Sequence, residues 1–242
     1  MIDILHKSRR TLVTGRTASG KSSLVEWLIL NEYQDYSKIF VYDFEGEWCQ
    51  RLGVVPVTSL GEIARSKERI ICYDPVNEIT DDPFDDYCLF VFEFAKSLRQ
   101  KILVVIDELQ MFVNVHALPT NFMSMLLRGR RYKIDMICIS QQPNLIHNAV
   151  RSQVSEIATF GQSDSNAMKF TRSFGIFDDE VTKLDDLEFF RKRCGTGEIQ
   201  KFKLNFTKKG VDIIRSENYN GNNETRDLPR NGADDGSSVV KG

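Results

Sequence analysis

The sequence predicts an α/β fold, a mostly parallel twisted sheet with helices on both faces, and three observations predict it. Short apolar runs that read as buried strands alternate with segments whose apolar residues recur at helical spacing. That alternation is the pattern of parallel strands joined by right-handed crossover helices. Several of the runs stop at a glycine, a proline or a pair of acids, which is how strands give way to loops. A chain of 242 residues, 41% of them hydrophobic, is also long enough to bury one sizeable core without disulfide staples.

Taken in order, "RTLVTG" (10–15) is a β-rich run ending in glycine, and "SSLVEWLILNEY" (22–33) carries Leu24, Trp27 and Leu28 at helical spacing. "KIFVYDFEG" (38–46) and "RIICYDP" (69–75) are the next two strands, with a connection and a short helix over 56–68. "ITDDPFDDYCLFVFEFAKSLRQ" (79–100) has acids at its head and Lys/Arg at its end, the charge order a helix favours. The acids of 81–86 are read either as caps for that helix or as a docking element. "KILVVIDELQ" (101–110) is a strand ending in two acids, "TNFMSMLLRGRR" (120–131) a helix, and "IDMICISQQP" (134–143) a strand stopped by Pro143. A helix over 145–153, a strand over 156–162, a helix over 163–175 and a strand over 198–209 complete the domain. Residues 1–215 thus read as one domain. From 216 to 242 the composition turns to Asn, Gly, Asp, Ser and Arg, which predicts a disordered tail or one that folds on a partner.

A formal net charge of -2 excludes a globally basic nucleic-acid coat, so any such contact must come from local patches. "RKR" (191–193) and "KFK" (201–203) are the basic candidates, with solvated surface charge as the plainer reading of each. Five scattered cysteines with no C-x-x-C pair argue against zinc and fit a reducing compartment. The first ten residues lack the order of a signal peptide. The longest apolar run, "YCLFVFEFAKSL" (87–98), is broken by Glu93 and Lys96 and is too short to span a bilayer, so no transmembrane segment is expected.

"GRTASGKS" (15–22) fits G-x-x-x-x-G-K-[ST] between a strand and a helix. Gly15 and Gly20 let the backbone turn so that the N–H groups of Arg16, Thr17, Ala18 and Ser19 face phosphates. Lys21 reaches the outer phosphates, and the Ser22 hydroxyl, followed by Ser23, ligates Mg²⁺. ATP and Mg²⁺ are the ligands expected; a plain glycine turn is the bland alternative. Such a loop needs a second metal anchor at the end of a neighbouring buried strand. "ILVVIDE" supplies Asp107 for the metal and Glu108 to polarise a lytic water, unless the two merely cap a following helix. The Asn-Lys-x-Asp tetrapeptide of small GTPases does not occur. Small-molecule kinases usually have no catalytic acid directly after the metal aspartate, so hydrolysis is favoured over phosphate transfer.

Gln141 comes just past the strand at 134–140, at the carboxyl edge where ligands of parallel sheets sit. Its amide both donates and accepts, which suits a contact to the γ-phosphate or the lytic water. A loop glutamine before a proline is the alternative. Arg128, Arg130 and Arg131 surround Gly129, expected to end the preceding helix. They fall at the start of that strand, about 20 Å from the nucleotide edge. Three readings stay open for them: a finger serving a neighbouring subunit's ATP, a grip on a phosphate backbone, or a solvated basic turn.

Together these residues resemble the FtsK/HerA superfamily of ring-forming DNA translocases over residues 8 to 210. The likeness is carried by "GRTASGKSSL", "VYDFEGEW" (41–48), "VVIDELQMF" and, most specifically, "RGRRYKIDMICISQQP". Departures are Lys133, where many members have glycine, and Gln142, where many have arginine. The resemblance implies a RecA-like (ASCE) P-loop NTPase motor. In it Lys21 and Ser22 hold phosphate and Mg²⁺, Asp107 the metal, Glu108 is the catalytic base, Gln141 the sensor, and Arg130 the finger in trans, with Arg131 or Arg128 as substitutes. With fourteen residues ahead of the loop, no β-barrel or membrane domain is expected there.

The chain is then similar to the minimal DNA-packaging ATPases of membrane-containing icosahedral, tectivirus-like viruses. That likeness implies a homo-oligomeric ring, taken as a hexamer, which moves double-stranded DNA. It implies work in the host cytoplasm at the viral particle or its portal vertex, with capsid or viral membrane proteins as further partners. Alternatives are a phage assembly or export ATPase of the zonula-occludens-toxin-like type, a plasmid mobilisation motor, or a non-motor subunit that only binds nucleotide.

Overall fold

The computed structural model describes residues 10–77, 82–195, 198–207 and 210–215. The segment 216–242, expected as a tail, and Asp81 at the head of the acidic run lie outside the described residues. Within them nine strands form one sheet: β1 (Arg10–Thr14), β2 (Lys38–Tyr42), β3 (Ile70–Tyr73), β4 (Ile102–Ile106), β5 (Ile134–Ser140), β6 (Glu156–Phe160), β7 (Glu188–Arg193), β8 (Ile199–Thr207) and β9 (Gly210–Arg215). Their order across the sheet is β3-β2-β4-β5-β1-β6-β7-β8-β9. The first six pair in parallel, and β7 to β9 continue antiparallel from β6. The helices are α1 (Lys21–Trp27), α2 (Trp48–Leu52), α3 (Leu60–Arg65), α4 (Pro83–Leu98), α5 (Thr120–Arg128), α6 (Asn148–Gln153), α7 (Ser165–Arg172) and α8 (Asp178–Val181). No helix among the described residues is long and apolar enough to cross a membrane.

The parallel strands are buried on both faces, so successive residues feed two different cores. Leu12, Val104, Ile106, Met136 and Cys138 face one cluster, closed by α4 and α5 through Phe84, Val91, Phe122 and Met125. Val13, Leu103, Val105, Ile137 and Ile139 face the other, closed by α1 and α2 through Leu24, Val25 and Trp48. Helices therefore cover both faces, as the alternating pattern predicts. At the head of α4, Asp82 accepts from the Asp85 backbone N–H at 3.0 Å, and Pro83 takes the first helical position. Asp85 in turn accepts from the Asn121 and Phe122 N–H groups at 2.8 and 3.0 Å, which pins the first turn of α5. Helix capping is the observed work of those two acids.

One expectation is refined and one corrected. Gly129 closes α5 as its C-cap, but in right-handed backbone at φ −56, so the chain runs on as a 3₁₀ turn over Gly129–Tyr132 and the left-handed reversal comes at Lys133, φ 59. A lysine in left-handed backbone is held there by its surroundings at a cost of about 1–2 kcal/mol. Lys133→Gly is expected to stabilise the protein by roughly 1 kcal/mol net of the extra freedom glycine has when unfolded. A urea midpoint that rises with an unchanged slope checks this, and a lower midpoint counts against it.

The correction concerns Arg191 in the first basic triplet. "RKR" ends strand β7, flanked by β6 and β8, and Lys192 and Arg193 there stay half-buried. Arg191 is buried, hydrogen-bonded through Nε to the Glu156 carboxylate and through Nη1 to Gln200 at 2.8 Å. Neither a DNA contact nor a solvated charge describes it. Lys201, in the other triplet, pairs with Glu188 at 2.6 Å. Burial follows from the extra strands: once β8 and β9 extend the sheet, β7 has a neighbour on each side.

Candidate nucleotide-binding site

The loop from Gly15 to Gly20 crosses the carboxyl edge of the sheet between β1 and α1. It lies so close to β6 that a Cβ at Gly15 would sit 2.6 Å from the Phe160 Cβ; Gly20, at φ 110, turns the chain into α1. The Arg16 N–H donates to the Gly161 carbonyl at 3.0 Å, and the Arg16 side chain pairs with Asp186. Both contacts tie the loop to the strands on its β6 side. Lys21 folds back to donate to the Arg16 carbonyl at 2.9 Å. Burial lowers its pKa, opposed by the carboxylates of Glu108, Asp107 and Glu45. Its ammonium is thus held beneath the loop by a single backbone oxygen and nearby acids. The Ser19 hydroxyl is buried in the same loop with no hydrogen-bond partner. Such an orphan is what a phosphate oxygen would satisfy.

The acids stand across the cleft. The Asp107 carboxylate accepts from the Trp48 indole N–H at 2.7 Å and from the Glu108 backbone N–H at 2.9 Å. Burial raises its pKa, and these two donors counter that rise. Glu108 has φ 45, a left-handed conformation rare for a residue with a side chain. It accepts from the Gln141 amide N–H at 2.5 Å and also from Gln110. The Gln141 carbonyl in turn accepts from the Thr17 hydroxyl at 2.6 Å. β5 makes this possible, because it lies between β1 and β4. Thr14 is level with Ser140, and Ile106 with Cys138. Gln141 therefore emerges between the phosphate loop and the acids, and its amide spans them.

Thr17 to Ser23, Asp107, Glu108 and Gln141 all line one cleft of about 360 Å³. Among the described residues no group of three or more His, Cys, Asp or Glu could hold a metal by itself. Ser22 and Asp107 offer two hard oxygen ligands beside space for phosphates. That donor set fits Mg²⁺, which keeps waters and shares substrate oxygens rather than filling an all-protein cage. Arg128, Arg130 and Arg131 do not line the cleft. They sit at the start of β5, a strand of seven residues, at the opposite edge of the sheet.

Sequence reasoning assigned no role to Asp43 and Trp48. Asp43 follows β2 and is fully buried; its carboxylate accepts from the backbone N–H groups of Trp48 and Cys49 at 2.9 and 3.2 Å. That contact sets the start of α2 and places the indole against Asp107. The sequence signal was an acid directly after an apolar run, Asp43 after "KIFVY" as Asp107 after "ILVVI"; the pairing of β2 with β4, Tyr42 opposite Ile106, puts the two at one edge. Trp48→Phe is expected to lower Mg²⁺-dependent activity by about 10- to 100-fold. Losing the donor also raises the Asp107 pKa further, so the acid limb of the pH–rate profile moves to higher pH. An unmoved limb would assign Trp48 to packing alone.

The structure is similar to that of the genome packaging NTPase B204 from Sulfolobus turreted icosahedral virus 2 in complex with AMP, at 18% identity and a TM-score of 0.67. The match covers 81% of this chain and 98% of that one. It is also similar to VirB4 of Thermoanaerobacter pseudethanolicus, at 13% identity and a TM-score of 0.60 over 84% of this chain and 91% of that one. A third likeness is to the bacterial conjugative coupling protein TrwBdeltaN70, at 11% identity and a TM-score of 0.60 over 82% and 85%. At such identities the likeness is one of fold, and the fold is that of a RecA-like P-loop NTPase. No curated protein sequence matches. A family description that does match is Zonular occludens toxin (Zot), over residues 11–193, from β1 through the end of β7. The expected resemblance to packaging ATPases thus appears in the fold, and by sequence the chain belongs to the zonular occludens toxin family.

Proposed function

We propose that the chain is an ATP-hydrolysing motor that moves double-stranded DNA, as a ring of its own copies, into a viral particle. The observation that carries the hydrolytic part is the hydrogen-bonded chain from Thr17 through Gln141 to Glu108, beside Asp107 in one cleft. In this reading Lys21 and the loop N–H groups hold the phosphates, and Ser22 with Asp107 would hold Mg²⁺. The metal neutralises phosphate charge when bound. Glu108 takes the proton of the attacking water, and Gln141 trades its bond to Thr17 for one to the γ-phosphate or that water, so it registers which is present.

The DNA part rests on fold-level likeness to a genome packaging NTPase that this chain covers almost end to end. Arg130 or Arg131, too far from their own cleft, reach the cleft of the adjacent copy in a hexameric ring. The work takes place in the host cytoplasm at the particle or its portal vertex, with capsid or viral membrane proteins as docking partners. A second reading, an assembly or export ATPase for phage, is favoured by the family match over residues 11–193.

One experiment separates them: the ATPase rate with and without double-stranded DNA, alongside the oligomeric state by sedimentation. A ring whose rate rises with DNA supports the translocase. A ring with DNA-independent turnover favours the export reading, and phosphate transfer to a small molecule by a monomer overturns both. Mixing Lys21→Ala with Arg130→Ala subunits is expected to restore part of the activity, since intact sites form at mixed interfaces. Mixed rings without recovery would remove Arg130 as the finger.

A further inference from the structure

We propose that Phe206 and Leu187 form the seat of the nucleobase, an apolar platform that holds a purine by stacking and without hydrogen-bonded reading of its edge. The proposal rests on the nucleotide reading above and names the part of that site which the phosphate motifs leave undefined.

The sheet order sets the direction of the ligand. Asp107, Glu108 and Gln141 follow β4 and β5, on one side of β1, whereas Leu187, just ahead of β7, and Phe206, near the end of β8, lie on the other. A triphosphate lying along the loop with its outer phosphate at Glu108 therefore sends its nucleoside toward β7 and β8. These two side chains are the large apolar groups that await it. Of the large hydrophobic residues that are exposed among those described, Phe206 alone lines this cleft.

Local geometry explains why Phe206 stands there. Phe202, Leu204 and Phe206 share one face of β8 at period two. Phe202 and Leu204 are buried, and Phe206 is 56% exposed. Leu204 packs onto the phosphate loop so closely that a Cβ on Gly20 would lie 3.0 Å from its Cδ1, and 3.2 Å from the Leu187 Cδ2. One step farther along the same face, Phe206 leaves the core at the cleft rim. Leu187 has φ 69, unusual for a leucine, and its carbonyl accepts from the Leu204 N–H at 2.9 Å. The chain thus holds Leu187 in a strained conformation beside the loop, in register with β8. The β7 and β8 side contributes no polar side chain to the cleft lining among the described residues. An aromatic face without a donor or acceptor beside it accepts adenine and guanine alike.

The test compares binding of Mg²⁺-ATP, Mg²⁺-GTP and inorganic tripolyphosphate by titration calorimetry. The variants are Phe206→Ala and Phe206→Trp, each first shown to melt as the parent does. Phe206→Ala is expected to weaken ATP and GTP by a similar factor, about 10- to 100-fold. Tripolyphosphate binding stays unchanged, and Phe206→Trp keeps the parent affinity for both nucleotides. Equal loss for ATP and tripolyphosphate, no loss for ATP, or a parent that prefers ATP over GTP by more than tenfold would each overturn the platform. A parent that binds neither ATP nor tripolyphosphate overturns the nucleotide reading itself, so the two failures are distinguishable.

Discussion

Glu108→Gln is expected to lower kcat for ATP hydrolysis by about 10²- to 10⁴-fold while ATP affinity stays within a few fold. Glutamine has the same shape and keeps a carbonyl oxygen to accept from Gln141, so the link from the phosphate loop through Gln141 persists. It cannot take a proton from water, which is the one property the substitution removes. The left-handed backbone at this position is an independent constraint, set by the close of β4 and retained in the variant. Phosphate release at saturating ATP, with binding measured separately, decides the matter. Turnover comparable to the parent would take Glu108 out of the mechanism.

Arg191→Met is expected to cost about 3–5 kcal/mol of folding stability, the usual consequence of removing one partner of a buried ion pair. The Arg191 and Glu156 side chains are 6% and 0% exposed, so the carboxylate left behind cannot recover water. Pairing the change with Glu156→Leu is expected to return most of the loss, because a matched apolar pair carries no desolvation penalty. Chemical denaturation of the two variants tests this. A single variant within about 1 kcal/mol of the parent would show that β7 does not depend on the pair. The consequence reaches the cleft, since β7 begins at the residue after Leu187, and Leu187 and Leu204 pack on Gly20.

The phosphate loop was legible because its chemistry is local. Gly15, Gly20, Lys21 and Ser22 must be adjacent in the chain to wrap a phosphate group, so spacing alone identifies them. Asp107 and Glu108 were legible because a buried strand ending in two acids is itself a local pattern. The edge rule for parallel sheets put Gln141 at the edge of the loop and the acids, where it lines the same cleft, and put the arginines of the 128–131 turn at the far edge. Local patterning failed where a residue's environment is made by distant chain. Arg191 looks solvated until β8 pairs along the flank of β7 and buries it. Gly129 closes α5 as read, but the left-handed reversal that a terminal glycine often supplies falls on Lys133, which no turn preference would select.

By itself, then, the sequence determined the alternating α/β layout, the phosphate loop and the acid pair, because each is encoded in neighbouring residues with a fixed geometric demand. Only the tertiary structure decided which side chains complete the site. It brought Trp48 to Asp107, linked Thr17 to Glu108 through Gln141, and set Phe206 and Leu187 at the other end of the cleft. The cleft gathers residues as much as 189 positions apart, Thr17 and Phe206 among its lining. Their pairing is set by strand order and register, which arise from burying two faces of one sheet at once. No local spacing carries that information.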